Sequence, residues 1–127
     1  MNLKLILFLI LASVFNFSFA VDNGTWTYDV NPDGITITVT GTTNHPPADL
    51  FIPETIDGYS VNEIGSWAFS KNSLTSVSIP NSVDVIGDYA FDYNQLASVT
   101  LPEGLTTIGQ GVFRENQLTD VIIPDGV

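Results

Sequence analysis

The chain has 127 residues, of which 44% are apolar and 13% charged, enough apolar side chains for one packed domain and too apolar a mixture for a disordered segment. Fourteen acidic residues stand against three basic ones, a net charge of −11, which excludes nucleic acid and anionic membrane as natural partners because both are bound by lysine and arginine displacing counterions. No cysteine is present, so disulfide frameworks and thiolate metal sites are excluded, and compartment has to be read from other features.

The N-terminus supplies such a feature. MNLKLILFLILASVFNFSFA has one lysine, Lys4, an apolar run from Leu5 to about Phe15, and the small-any-small ending Ser18-Phe19-Ala20, the layout of a secretory signal peptide occupying residues 1–20. Cleavage after Ala20 is predicted. The run is short for a bilayer core of about 30 Å, and polar Asp22-Asn23-Gly24 follows at once, so no membrane span is expected after the signal is removed. What remains keeps every acidic residue and, as bases, only Lys71 and Arg114.

Residues 21–48 are expected to form an N-terminal β-hairpin cap. Trp26 to Val30 and Ile35 to Thr40 each alternate between apolar and polar residues, and Asn31-Pro32-Asp33-Gly34 between them has turn chemistry, with proline second and glycine fourth. Asp29, Asn31, Asp33 and Gly34 also match the opening of a calcium loop. The twelfth position, where a bidentate glutamate closes such a loop, is Thr40, so a turn is expected and no metal or other cofactor is assigned. Asn23-Gly24-Thr25 matches a glycosylation acceptor. His45, the single histidine, sits in Asn44-His45-Pro46-Pro47 with no nucleophile motif near it, and pairs such as Asp88 and Asp92 are what an acidic composition supplies without catalysis. No phosphate-cradling glycine loop occurs, and no enzyme is expected.

From residue 49 onward the chain repeats. IGSWAFSKNSLTSVSIPNSVDV from Ile64, IGDYAFDYNQLASVTLPEGLTT from Ile86 and IGQGVFRENQLTDVIIPDGV from Ile108 align without a gap at a period of 22. A fixed period of this size marks a stacked array. Glycine (Gly65, Gly87, Gly109), phenylalanine (Phe69, Phe91, Phe113), asparagine (Asn72, Asn94, Asn116) and proline (Pro80, Pro102, Pro124) each keep a column. Alternation in LASVTLP predicts a short strand with Val99 and Leu101 inward, ended by Pro102. Stacking would pair each such strand with its counterpart in the next coil. The glycines are expected to permit close backbone approach, the phenylalanines to form a stacked spine, and the asparagines to bond backbone groups at a bend. LFIPETI from Leu50 reads as the strand of an irregular first repeat, with Asp57 to Val61 as an insertion.

The pattern I-G-x-x-A-F-x-x-N-x-L-x-x-V-x-I-P-x-x-V, as it stands from Ile64 to Val127, resembles the BspA-type leucine-rich repeat of bacterial surface proteins. The resemblance implies a repeat solenoid, mostly β, in the form of a right-handed superhelix. It implies short parallel strands on the concave face and short helical or irregular turns on the convex one, with leucine-rich repeats over residues 49–127. It also implies a noncatalytic secreted or cell-surface module that binds protein or adheres, with a polysaccharide-binding segment of a larger secreted enzyme as the alternative.

The repeat also sorts the exposed residues. Asp49, Ser76, Ser98 and Asp120 fall in one outward column of the strands, and Phe51, Ser78, Thr100 and Ile122 in the next. On the opposite turn stand Trp67, Tyr89 and Tyr93, whose rings offer large contact area at little entropy cost. These residues are the candidate contacts for a protein or glycan ligand. Val121 and Ile123 read as core positions of a last strand whose coil is not closed by Val127. The expectation is that the working protein continues, or that this strand edge pairs with a second copy.

Overall fold

The computed structural model describes residues 19–127; most of the expected signal peptide lies outside them. Three antiparallel strands come first: β1 (Phe19–Asp22), β2 (Trp26–Val30) and β3 (Thr36–Thr42). The β2–β3 connection is the turn expected from its chemistry. Gly34 donates its N–H to the Asn31 carbonyl, and Asp33 Oδ1 accepts from the N–H groups of Ile35 and Thr36, both at 2.9 Å. Partial burial works against ionisation of Asp33, but the Thr36 hydroxyl and those two amides outweigh it and hold the carboxyl below its ordinary pKa. Both oxygens of Asp33 are thus spent on the turn itself.

The insertion after the first repeat strand is a second hairpin. Asp57 and Gly58 both have positive φ, 52° and 87°, which is the two-residue turn that Asp-Gly favours. They join β5 (Thr55–Ile56) to β6 (Tyr59–Ile64), and Asp57 Oδ2 accepts from the Tyr28 hydroxyl at 2.6 Å and from Asn23 at 2.9 Å. Burial, together with that bond to Asp57, raises the Tyr28 pKa well above its usual value. The longer β6 then pairs in parallel with β3, carrying the N-terminal sheet into the repeats.

From there the sheet passes through β8 (Val85–Ile86) and β9 (Thr107–Ile108), each paired in parallel with its counterpart one period away. The N–H groups of Gly65, Gly87 and Gly109 each reach a carbonyl of the preceding layer, Val39, Ile64 and Ile86, at 2.8 Å. A second ladder runs along the Ala-Phe turn, where Trp67, Phe69 and Lys71 donate to Asp88, Ala90 and Asp92, and Tyr89, Phe91 and Tyr93 donate to Gln110, Val112 and Arg114. Every coil from Ile64 on is therefore tied to the next by backbone bonds along two separate lines.

The glycine column needs its missing side chain because these backbones nearly touch. A Cβ on Gly87 would stand 2.6 Å from the Ser66 nitrogen and 3.0 Å from the Gly65 carbonyl carbon, in backbone held on either side by the ladder bonds of the Gly65 and Trp67 N–H groups. We expect Gly87→Ala to destabilise the fold by about 3 kcal/mol, the upper end for overpacking, because neither backbone can yield without breaking ladder bonds. Chemical denaturation checks this, and a change below about 1 kcal/mol would show that the coils slide freely.

The strand column departs from expectation. β4 (Asp49–Phe51) and β7 (Ser76–Ser78) pair in parallel in the register the repeat implies. Val99–Leu101 and Val121–Ile123, expected as the following strands, form no ladder. Proline ends the paired segments at Pro53 and Pro80 as it does these at Pro102 and Pro124, so every member of the column can offer only a few ladder bonds, while the other two lines already fix the coil spacing. Between Val77–Asn81 and Thr100–Pro102 the coils part around a gap of about 250 Å³. No helix occurs among the described residues, so the turns opposite the strands are irregular and no segment of helix is long and apolar enough to cross a membrane.

Inside the stack, Leu74, Leu96, Ile64, Ile86 and Leu105 are fully buried. The phenylalanine spine forms as the columns imply: Phe69 and Phe91 stack at 5.6 Å, and Phe91 and Phe113 at 5.8 Å. Trp26 of the first hairpin meets Phe69 edge-on at 6.4 Å. Asn94 accepts from the N–H groups of Asn72 and Leu74 and donates to the carbonyls of Phe69 and Phe91.

Candidate functional site

The two candidate surfaces differ in how they are built. On the strand face, Asp49 and Ser76 are adjacent through β4–β7 pairing and bonded, Ser76 Oγ donating to Asp49 Oδ1 at 2.8 Å, while Phe51 and Ser78 are the next exposed pair. Ser98, Thr100, Asp120 and Ile122 all point to solvent, as alternation predicts, but they flank a cleft of about 630 Å³ instead of sharing a sheet. Ile123, expected as a core position, is itself 49% exposed, because no following coil covers it among the described residues. Ile122 is 86% exposed and Phe51 67%. The eight residues of this face are therefore a broken surface, continuous only over Asp49, Phe51, Ser76 and Ser78.

The Ala-Phe turn is organised much more tightly. Trp67 and Tyr89, one period apart, stack at 4.3 Å with their planes 17° apart. Gly111 is the third member of that column, and a Cβ there would lie 2.5 Å from the Tyr89 ring, so glycine is what lets the ring lie flat over the next coil. Four residues further along each coil, Lys71 and Tyr93 form a second column, with the Lys71 ammonium 5.6 Å from the Tyr93 ring centre. The Arg114 guanidinium lies 5.1 Å from the Tyr89 ring and 5.3 Å from the Tyr93 ring. Trp67 is 52% exposed and Tyr93 48%.

Arg114 was not among the expected contacts, and it holds the cluster together. Its Nε and Nη2 donate to the two carboxylate oxygens of Asp92 at 2.9 and 3.0 Å, and the Asp92 side chain is fully buried. That bond raises the arginine's pKa further above its already high value. Asp92 and Arg114 stand one period apart, so opposite charge at a separation of 22 was a readable signal in the sequence. Asp92 is thereby committed to Arg114, and Asp88 Oδ1 accepts from the Gln110 N–H, so the two carboxylates serve separate structural bonds. His45 is exposed in its loop.

The backbone beneath the cluster is strained. Trp67 and Tyr89 have φ of 64° and 57°, and Lys71 and Tyr93 have φ of 58° and 53°. Bulky side chains in the left-handed region are uncommon, and each costs about 1 kcal/mol or more. Gly111 occupies the same conformation at φ 61° without that cost. Chemically, the site offers the exposed indole of Trp67 and two phenol rings already carrying cations.

The comparisons with known proteins agree with this architecture. The family model described as the BspA type leucine rich repeat region matches residues 52–127, in six copies. The fold is similar to a crystal structure of a leucine-rich repeat protein from Bacteroides capillosus, with 23% identity, a TM-score of 0.56, and coverage of 80% of this chain and 96% of that one. It is also similar to a T. pallidum leucine-rich repeat protein, with 21% identity, a TM-score of 0.50, and coverage of 86% and 73%. No curated protein matches the chain.

Proposed function

The chain belongs to the BspA-type leucine-rich repeat family, and from that membership we propose that it is a noncatalytic module of a secreted or cell-surface protein that binds a partner protein through the aromatic turn. The stack is read as a right-handed solenoid whose N-terminal hairpins serve as its cap. Trp26 against Phe69 and the β3–β6 pairing support that role, since an uncapped coil would leave apolar surface open. Cleavage after Ala20 remains the expected route to secretion.

One observation carries the reading. Trp67 and Tyr89 hold left-handed backbone that glycine takes more cheaply, as Gly111 does in the same column, and Trp67 remains half exposed. The stack and the backbone strain nearly cancel, so folding gains little net from large rings there; recognition gains more, because tryptophan, tyrosine and arginine are the residues that dominate protein interfaces. A planar stack of rings also suits the flat face of a sugar, which keeps polysaccharide as the second reading.

The test is the double variant Trp67→Gly, Tyr89→Gly. Loss of the stack is offset by relief of backbone strain, so we expect unfolding free energy to stay within about 1 kcal/mol of the parent. Binding to partners captured on an array of extracellular proteins and glycans is expected to weaken at least tenfold, the scale of an interface anchor. A variant that folds and retains full binding refutes the aromatic turn as the contact site.

A further inference from the structure

Among the rings of this cluster, cations are distributed unevenly. Tyr89 carries the Arg114 guanidinium and Tyr93 carries both Arg114 and the Lys71 ammonium. Trp67, the ring type that attracts cations best, carries none among the described residues, although it is half exposed and only one of its faces is taken by Tyr89. Both bases that follow residue 20 are thus already seated on tyrosines, and Arg114 is neutralised by buried Asp92.

The surroundings favour a positive visitor. The sequence carries 14 acidic residues and a net charge of −11, so its field draws in basic partners and repels acidic ones. Asp88, whose carbonyl accepts the Trp67 N–H, precedes Tyr89 and is exposed, with no ion pair among the described residues.

We propose that the open face of Trp67 takes an arginine or lysine side chain from a basic segment of the partner protein, repeating at the N-terminal end of the column the cation-on-ring contact that Arg114 makes with Tyr89. This rests on the aromatic turn being the contact site, as argued above. The long-range charge brings the basic segment in, and the indole fixes where one of its cations lands. An acidic or uncharged segment would gain neither effect.

The test uses three short peptides of equal length, alternating glycine with arginine, lysine or glutamate, titrated into the whole chain while tryptophan fluorescence is followed. Trp26→Phe, which leaves Trp67 as the single reporter, should give the same titration. The arginine peptide is expected to produce a saturable change, lysine a weaker one and glutamate none, with affinity falling on the order of tenfold between low and high salt. By calorimetry, which needs no tryptophan reporter, Trp67→Gly should abolish binding of the arginine peptide while Trp67→Phe retains part of it. Equal binding of the arginine peptide by the Trp67→Gly variant, measured by calorimetry, would reduce the effect to general acidity and overturn the inference. So would preferential binding of the glutamate peptide, or no saturable response to any peptide. Those failures are distinct from failure of the contact site, which the glycine double variant reports against captured partners.

Discussion

Asn94→Ala is expected to lower the unfolding free energy by about 4 kcal/mol, more than the same change at either of the other two asparagines of its column. Asn94 is buried, and its amide uses its full capacity. Oδ1 accepts from Asn72 at 3.1 Å and Leu74 at 2.9 Å, and Nδ2 donates to the carbonyls of Phe69 at 2.9 Å and Phe91 at 3.0 Å, with Asp92 at 3.3 Å. Alanine would strand the Asn72 and Leu74 N–H groups and the Phe69 carbonyl together, while Phe91 keeps its bond from Asn116, and each stranded buried group costs about 1–3 kcal/mol. Asn116 makes similar bonds but is less buried, and the Asn72 amide donates only to the Ser70 carbonyl. The order of loss should therefore be Asn94, then Asn116, then Asn72. Asn94→Asp keeps the acceptor for Asn72 and Leu74 but sets a carboxylate against two carbonyls, and should cost at least as much as alanine. Denaturant unfolding of the four variants checks the order; equal losses across the column would mean that the bend is held by something other than the amides.

That inequality shows how far a repeat can be read from its letters. The three asparagines are identical in the sequence, and their shared role as backbone ligands follows from type and spacing. Their ranking does not, because it depends on which coil has neighbours on both sides. The glycine and phenylalanine columns were legible for the same reason: a period of 22 copies one local geometry, and a residue that recurs at one phase solves one recurrent problem. The turn at Asn31–Gly34 was legible from local chemistry alone.

What escaped the sequence was of two kinds. The ladder through Val85–Ile86 and Thr107–Ile108 consists of two-residue strands, too short for alternation to register, while the Val-x-Leu and Val-x-Ile segments that do alternate form a ladder only at β4–β7. Alternation reports which side chains face inward, and Ser98 and Thr100 do face outward; it does not report whether a neighbouring strand lies close enough to bond. The second kind was the functional detail. Asp57-Gly58 carries a strong hairpin signal that its reading as an insertion left unused. Arg114 reads in the sequence as one of few charges, although its partner Asp92 stands one period before it. For the candidate contacts, the aromatic column was visible, but the strain beneath it was not, since nothing in the letters of Trp67 or Tyr89 announces a positive φ.

Phe91→Ala is the second large effect expected, about 4 kcal/mol. Phe91 is fully buried and is the middle ring of the spine, stacked on both sides at 5.6 and 5.8 Å. Truncation removes apolar burial, two ring contacts, and the filler of a space that the flanking backbone ladders keep from collapsing. Phe113→Ala should cost less, because Phe113 is only partly buried. The location of the damage matters as much as its size. In a stack whose coils touch only their neighbours, stability is a sum of units and interfaces, so a defect at Phe91 divides the array. The hairpin strands, Trp26 and Phe69 lie on one side of the break, and the Gly109–Asn116 coil on the other. Amide hydrogen exchange in the variant is therefore expected to accelerate most at Gly109, Arg114 and Gln117, while amides of β2 and β3 keep their protection. Uniform acceleration through both regions would show instead that the N-terminal hairpins and the repeats open as one unit, with Trp26 on Phe69 transmitting the loss across the whole chain.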